Sequence, residues 1–252
     1  MFHKDIFLFS TQSFKHIMLT KNQIKFVRSL YIKKNRQKHG LFIVEGEKIV
    51  NEVLSSNLVV KKVYATKDWS GENAIIISKD ELCRLSSLKS PNKVLAIVKL
   101  KKSSLGVMSS TVLALDGVKD PGNLGTIIRI ADWFGVKDIL CSNDCVDYLN
   151  PKVVQSTMGS FLRVNIHYTC LINALNRYSD YKLFMTVLDG TPISKMKSSY
   201  KKKIIVMGNE SRGISNKILK LKSDKITIPK SKFSNAESLN VSVAVAIILS
   251  AI

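Results

Sequence analysis

An α/β fold with a mostly parallel sheet is predicted by three features of the sequence. Apolar runs of strand length alternate with helix-period segments from residue 41 to the C-terminus, the pattern of βα units with helices on both sheet faces. The stretch 113–140, LALDGVKDPGNLGTIIRIADWFGVKDIL, is one such unit in full. An apolar run ends at Asp116, a Pro-Gly turn follows, and Ile127, Ile128, Ile130, Ala131 and Phe134 recur on helical spacing. A polar, aperiodic segment at 101–110, KKSSLGVMSS, reads as a linker between a small α/β unit at 20–100 and a larger one at 111–252. Periodicity alone predicts an unknotted, Rossmann-like sheet for the larger unit.

Residues 1–19 are expected to form a disordered leader or to reflect a mis-assigned upstream start. Their short apolar patch lacks the long core and cleavage site of a signal peptide. A mitochondrial leader fits less well, because the segment is short of arginine. Thr20 and Gln23 have capping-box spacing ahead of Ile24, Val27, Leu30 and Tyr31, which marks a helix start. Strands are then predicted at LFIVEG, VVKKVYAT, AIIIS and VLAIVKL, with helices at 47–54 and 80–88, the second capped by Ser78 and Glu81. Past the linker, strands are predicted at the start of the 113–140 unit and at VKDIL, RVNIHY, KLFMTVLD, KKKIIVMG and ITIP. Helices are predicted at 150–162, with Pro151 in the first turn, and at 171–178, 214–221 and 238–252.

Composition narrows the partners. Lys and Arg outnumber Asp and Glu 39 to 19, a formal charge of +20. Such a balance suits a polyanion, with nucleic acid ahead of an anionic membrane. The charge also clusters, at Lys33, Lys34, Arg36 and Lys38 and again at Lys201, Lys202 and Lys203. Cys83, Cys141, Cys145 and Cys170 have no CxxC spacing and no histidine beside them, so neither a metal site nor a disulfide framework is expected. Reduced thiols in a cytoplasmic protein are the natural reading. No apolar run reaches the ~18 residues of a membrane span.

Two further stretches share the chemistry-bearing look of 113–140: VMGNESRGIS (206–215) and ITIPKSKFSNAESLNVSVAVAIILSAI (226–252). Glycine-bearing loops follow these strands, and ligands of open α/β sheets bind at the strands' C-terminal edge. Arg129, six residues after Asn123, lies less than two helical turns away and can point back toward that edge. No GxGxxG and no Walker lysine motif is present, so nicotinamide and P-loop nucleotide chemistry lack their signatures.

As a set in this order, the three stretches resemble the SpoU/TrmH family of RNA ribose methyltransferases, within the SPOUT superfamily. The likeness covers about residues 20–252. Its first motif falls on Asn123, Gly125 and Arg129; its second on Gly208, Asn209, Glu210, Gly213 and Ser215; its third on Ile228, Pro229, Ser238, Leu239, Asn240 and Val241. The resemblance implies S-adenosylmethionine as cofactor, held by Gly208, Ile228 and Leu239 mainly through main-chain groups, with Asn209 and Pro229 alongside. It implies that Arg129, Asn123, Glu210, Ser238 and Asn240 gather about the RNA. It further implies a C-terminal domain tied in a trefoil knot, against ordinary topology rules, and a homodimer joined through the first-motif and C-terminal helices. The small unit at 20–100 resembles the family's substrate-binding domain, most clearly in RQKHGLFIVEGEKIV (36–50), and favours ribosomal RNA as substrate.

Two departures stand out. The loop KSKFSNAE before Ser238 is slightly long and unusually basic for the family, and QSTMGSF at 155–161 replaces a small-residue run. Transfer RNA as substrate and a non-catalytic RNA-binding protein of the same fold are the alternatives. Because a guanidinium seldom gives up its proton, the preferred role of Arg129 is an electrostatic clamp on a substrate phosphate or developing alkoxide rather than a base. Glu210 could orient Arg129 or Asn123, or merely end a helix, and Ser238 and Asn240 could be an ordinary N-cap pair.

Overall fold

A computed structural model describes residues 18–101, 105–195 and 200–252. The expected leader therefore falls outside the described residues as far as residue 17, as does the linker at 102–104. Leu19, placed in the leader by sequence, is instead part of the fold: its side chain is buried and its N–H donates to Glu81 Oε1 at 2.7 Å.

The chain opens with α1 (Lys21–Ser29), α2 (Lys33–His39), β1 (Leu41–Glu45), α3 (Glu47–Leu54), β2 (Val60–Ala65), β3 (Ile75–Ile76), α4 (Lys79–Leu85) and β4 (Val94–Lys99). Both expected capping boxes are formed, Thr20 with Gln23 and Ser78 with Glu81. Here the sheet is not mostly parallel. Its order is β1-β4-β2-β3, and β4 runs antiparallel to both neighbours because the last strand inserts between the first two. Helix α2 carries the Lys33–Lys38 charge cluster, which the sequence left without an element. Its basic last turn and the left-handed Gly40 at its C-cap favour the helix end.

Next come β5 (Thr111–Leu115), α5 (Pro121–Trp133), β6 (Asp138–Ser142), α6 (Pro151–Thr157), β7 (Asn165–Thr169), α7 (Leu171–Arg177), β8 (Lys182–Pro192), β9 (Lys203–Met207), α8 (Asn216–Leu219), β10 (Asp224–Thr227) and α9 (Val241–Ser250). Their sheet, β10-β8-β9-β5-β6-β7, is parallel throughout. The Rossmann-like expectation fails in one respect: β9, not β8, pairs with β5. The helix expected at 150–162 also breaks, because Met158 and Gly159 take positive φ (51° and 94°) and only a single 3₁₀ turn follows at Ser160–Leu162. The final helix begins at Val241 rather than 238, since Asn240 caps it in a non-helical conformation.

The two sheets share one apolar core, running from Phe42, Val50 and Val53 through Leu124, Ile127 and Phe161 to Val245 and Leu249. Polar ties cross the same junction. The Arg36 guanidinium, only 3% exposed, bonds Asp147 Oδ2 at 2.5 Å and the carbonyls of Leu30 and Tyr31. Arg36 is thus no surface cation for RNA, unlike its exposed neighbours Lys34 and Lys38. Gln155 Nε2 donates to Glu45 O at 2.8 Å, and Arg163 bridges Glu52 and Asp132. Gln155 and Phe161, from the QSTMGSF segment, both lie in this junction, where Phe161 meets Phe42 edge to face.

Asp138, buried at the start of β6, offers a pH test of the fold. Burial pushes its carboxyl up, but the Ser109 N–H (2.8 Å), the Asn165 amide (3.1 Å) and the His167 ring outweigh it and hold the carboxyl below its ordinary value. A carboxyl lowered by folding stabilises the native state above its unfolded pKa near ~4 and ceases to as pH falls through the lower folded value. Asp138→Asn is therefore expected to destabilise the protein by about 1–3 kcal/mol at pH 7. The deficit in Tm should shrink toward pH 3. A deficit unchanged between the two pH values would show that the charge is not what matters.

Candidate active site

Because the large sheet is parallel, β5, β9 and β10 end on one edge, and each continues directly into one of the three sequence stretches. β5 runs into Asp116 and Gly117. Gly117 has φ +76°, and a Cβ there would lie 2.7 Å from the Arg212 guanidinium. Buried Asp116 accepts the Ser215 N–H at 2.7 Å, tying the first loop to the second. The second loop is a tight reversal in which Asn209 and Gly213 exchange both main-chain hydrogen bonds. Gly208 is required there, because a Cβ would sit 2.3 Å from the backbone of Gly213.

A line of side chains links all three stretches. Asn240 Nδ2 donates to Asn123 Oδ1 at 2.9 Å, and Asn123 Nδ2 donates to Glu210 Oε1 at 2.9 Å. Each end fixes the sense of the line. Asn240 Oδ1 accepts the N–H groups of Ser242 and Val243 as the N-cap of α9, so its amide nitrogen must face Asn123. Glu210, when ionised, can only accept. Asn123 itself is placed by the Asp120 cap of α5, whose Oδ1 accepts the Asn123 N–H at 2.8 Å. Helix α5 can lie close to α6 because residue 125 is glycine: a Cβ there would fall 2.4 Å from Ser156 Cβ.

The remaining predicted residues fall around this line as follows. Arg129, on α5, is exposed, and its side chain makes no hydrogen bond or ion pair with any described residue. Helix geometry tilts its side chain toward the N-terminal end of α5, over Gly125 and Thr126. Ser238 is exposed and likewise without a hydrogen bond to a described residue. Ile228 packs against the core, Pro229 is exposed and Leu239 is half exposed. The main-chain N–H and C=O groups of Gly208 and Leu239 have no partner among the described residues, so they can bond a cofactor. Asn209 differs: Nδ2 bonds Gly117 O and Glu210 Oε2, Oδ1 accepts two loop N–H groups, and its main chain is paired to Gly213. Its polar atoms build the loop.

Sequence reasoning missed the brace beside this loop, where Arg212 Nη2 meets Asp144 Oδ2 at 2.7 Å. The Ser142 hydroxyl, with Arg212, holds the Asp144 carboxyl below its usual range against partial burial. Nothing in the spacing of residues 68 apart could have found it. Underneath, the Cys145 thiol is drawn down to about 7 by its neighbour Cys141, against burial. All four cysteines are free. Among the described residues no group of three or more His, Cys, Asp or Glu could hold a metal ion, and no helix is long and apolar enough to cross a membrane. A cavity of about 1080 Å³ lies elsewhere, between the sheets by Glu52, Asp138, Arg163 and His167, and of the three stretches only Asp138, near the end of the first, lines it.

The model of the SpoU rRNA Methylase family matches residues 110–250, which contain all three stretches. The chain belongs to that family. Residues 21–96 match the MRM3-like substrate binding domain. The Bacillus subtilis 23S rRNA (guanosine(2553)-2'-O)-methyltransferase is 31% identical over 250 residues, 93% of this chain and 98% of that protein. Among solved structures, a TrmH-family protein from Porphyromonas gingivalis superposes with TM-score 0.84 at 34% identity, covering 93% of this chain and 98% of its own. An AdoMet-bound rRNA methyltransferase from Sinorhizobium meliloti superposes with TM-score 0.82 at 26% identity, covering 93% and 95%.

Proposed function

We propose that the protein transfers a methyl group from S-adenosylmethionine to a ribose 2′-hydroxyl of ribosomal RNA. The observation that carries this reading is the hydrogen-bonded line Asn240–Asn123–Glu210, which joins three segments more than eighty residues apart at their extremes into one site. The unpaired main-chain groups of Gly208 and Leu239 suit the cofactor, and the reading assigns Ile228, Pro229 and Asn209 to the same cofactor site. When bound, the cofactor supplies an electrophilic methyl group. The chain's own part is positioning and charge: Asn123, Glu210 and Asn240 fix the loops, Ser238 offers a hydroxyl to the substrate, and Arg129 stabilises negative charge on phosphate or alkoxide.

The same proposal assigns residues 20–100 to RNA binding, 101–110 to the connection and 111–252 to catalysis. It includes the trefoil knot, supported by the path of the chain: after β10 at the sheet edge it returns so that α9 packs on α5. It includes a homodimer, supported by an apolar stripe of Leu239, just before α9, with Val243 and Ile247 on it, 50%, 47% and 36% exposed. A cytoplasmic site of action goes with a ribosomal substrate. Incubating the protein with radiolabelled S-adenosylmethionine and ribosomal RNA should label the RNA, and mapping 2′-O-methyl groups in a knockout strain should reveal one lost position. Label absent from RNA, with donor binding intact, would favour a non-catalytic RNA-binding role. Sedimentation at twice the chain mass tests the dimer.

A further inference from the structure

We propose that Phe233 is a stacking platform for an unpaired base of the RNA, an inference that rests on the RNA methyltransferase reading above. Residues 229–240 leave β10 and end at Asn240, the residue that ties the third stretch to Asn123. Within them Phe233 is 94% exposed and directly follows Lys230 and Lys232, which are exposed as well. A lone exposed apolar residue is ordinary on a protein surface. A phenyl ring held almost wholly in water is less so when its neighbours are cations and its loop feeds the proposed catalytic cluster. The loop is shaped by its own hydroxyls: Phe233 N–H bonds Ser231 Oγ at 3.2 Å, Ser234 N–H bonds Ser231 O at 3.1 Å, and Ala236 N–H bonds Ser234 Oγ at 3.2 Å.

The chemistry of the occupant follows from these parts. An exposed ring presents a π-face that any nucleobase can cover, and the two ammonium groups just before it in the loop can meet a neighbouring phosphate. Ribosomal RNA is read where bases are unstacked, and a ribose 2′-hydroxyl becomes accessible in the same places. A base seated on Phe233 would fix the strand relative to the site, which makes Phe233 a positioning residue for substrate. It takes no part in the chemistry.

The test uses the full chain, poly(A) as the single-stranded probe and ribosomal RNA as the methyl acceptor. Phe233→Ala is expected to weaken poly(A) binding roughly tenfold, the loss of about one base stack, and to raise KM for ribosomal RNA with kcat little changed. Phe233→Trp should restore both, and its added fluorescence over the wild-type Trp69 and Trp133 background should be quenched by poly(A). Phe233→Leu, apolar but unable to stack, should stay weak. Equal poly(A) affinity in Phe233→Leu and wild type overturns stacking, as does a Phe233→Ala variant altered only in donor affinity or in sedimentation, which would assign the ring to cofactor or to a second copy of the chain. Wild-type protein that neither binds poly(A) nor methylates ribosomal RNA would bring down the functional reading itself.

Discussion

Replacing Arg129 with alanine should lower kcat/KM for RNA methylation by at least about a hundredfold, the effect of deleting one group aimed at developing charge. The fold should not notice. Arg129 is exposed on α5 and its side chain bonds no described residue, and surface substitutions of that kind stay within ±0.5 kcal/mol. That separation between activity and stability makes the test clean: Tm and affinity for S-adenosylmethionine should match wild type while turnover falls. A guanidinium does not lose its proton near neutrality, so the wild-type pH–rate profile should show no step that Arg129→Lys abolishes. Arg129→Lys should recover part of the loss, since the point charge remains but the planar fork does not. Wild-type turnover in Arg129→Ala would remove Arg129 from the site.

What could be read from the chain ahead of its structure was what depends on near neighbours. The Thr20–Gln23 and Ser78–Glu81 boxes pair residues three apart, and both formed. The unit at 113–140 was legible because an apolar strand, a Pro-Gly turn and a helical repeat each carry their own local signal. The strand order was not, because which strand β9 pairs with depends on how the chain crosses the sheet and not on its own residues. The break at Met158 and Gly159 was hidden for a related reason: the apolar spacing continues across it, and only positive φ at both positions interrupts the helix. In the site, the types of Asn123, Glu210 and Asn240 pointed to polar work, but their being bonded in one line is a fact of tertiary structure. Arg36 shows the limit most directly. In sequence it stands among lysines, yet it is the buried tie between the sheets, because Asp147, distant along the chain, comes to meet it.

Asn123→Asp should be more damaging than Asn123→Ala, with at least about a hundredfold loss of kcat/KM at pH 8. The argument rests on the sense of the hydrogen-bonded line. Asn123 donates through Nδ2 to Glu210 and accepts at Oδ1 from Asn240. Aspartate keeps the acceptor and loses the donor, so a carboxylate oxygen would face Glu210 Oε1 at the 2.9 Å now occupied by a hydrogen bond. Alanine only leaves a gap that water can fill. Two carboxylates at that distance raise the pKa of one of them, so the repulsion is fully present above the raised value and is relieved as pH falls and a proton is shared. Activity of Asn123→Asp relative to Asn123→Ala should therefore improve between pH 8 and pH 5.5. Adding Glu210→Gln to Asn123→Asp restores a donor opposite the new carboxylate, and donor-cofactor affinity and Tm should return toward wild type even if turnover does not. If Asn123→Asp alone matches wild type at pH 8, the line Asn240–Asn123–Glu210 is not what holds the three loops together.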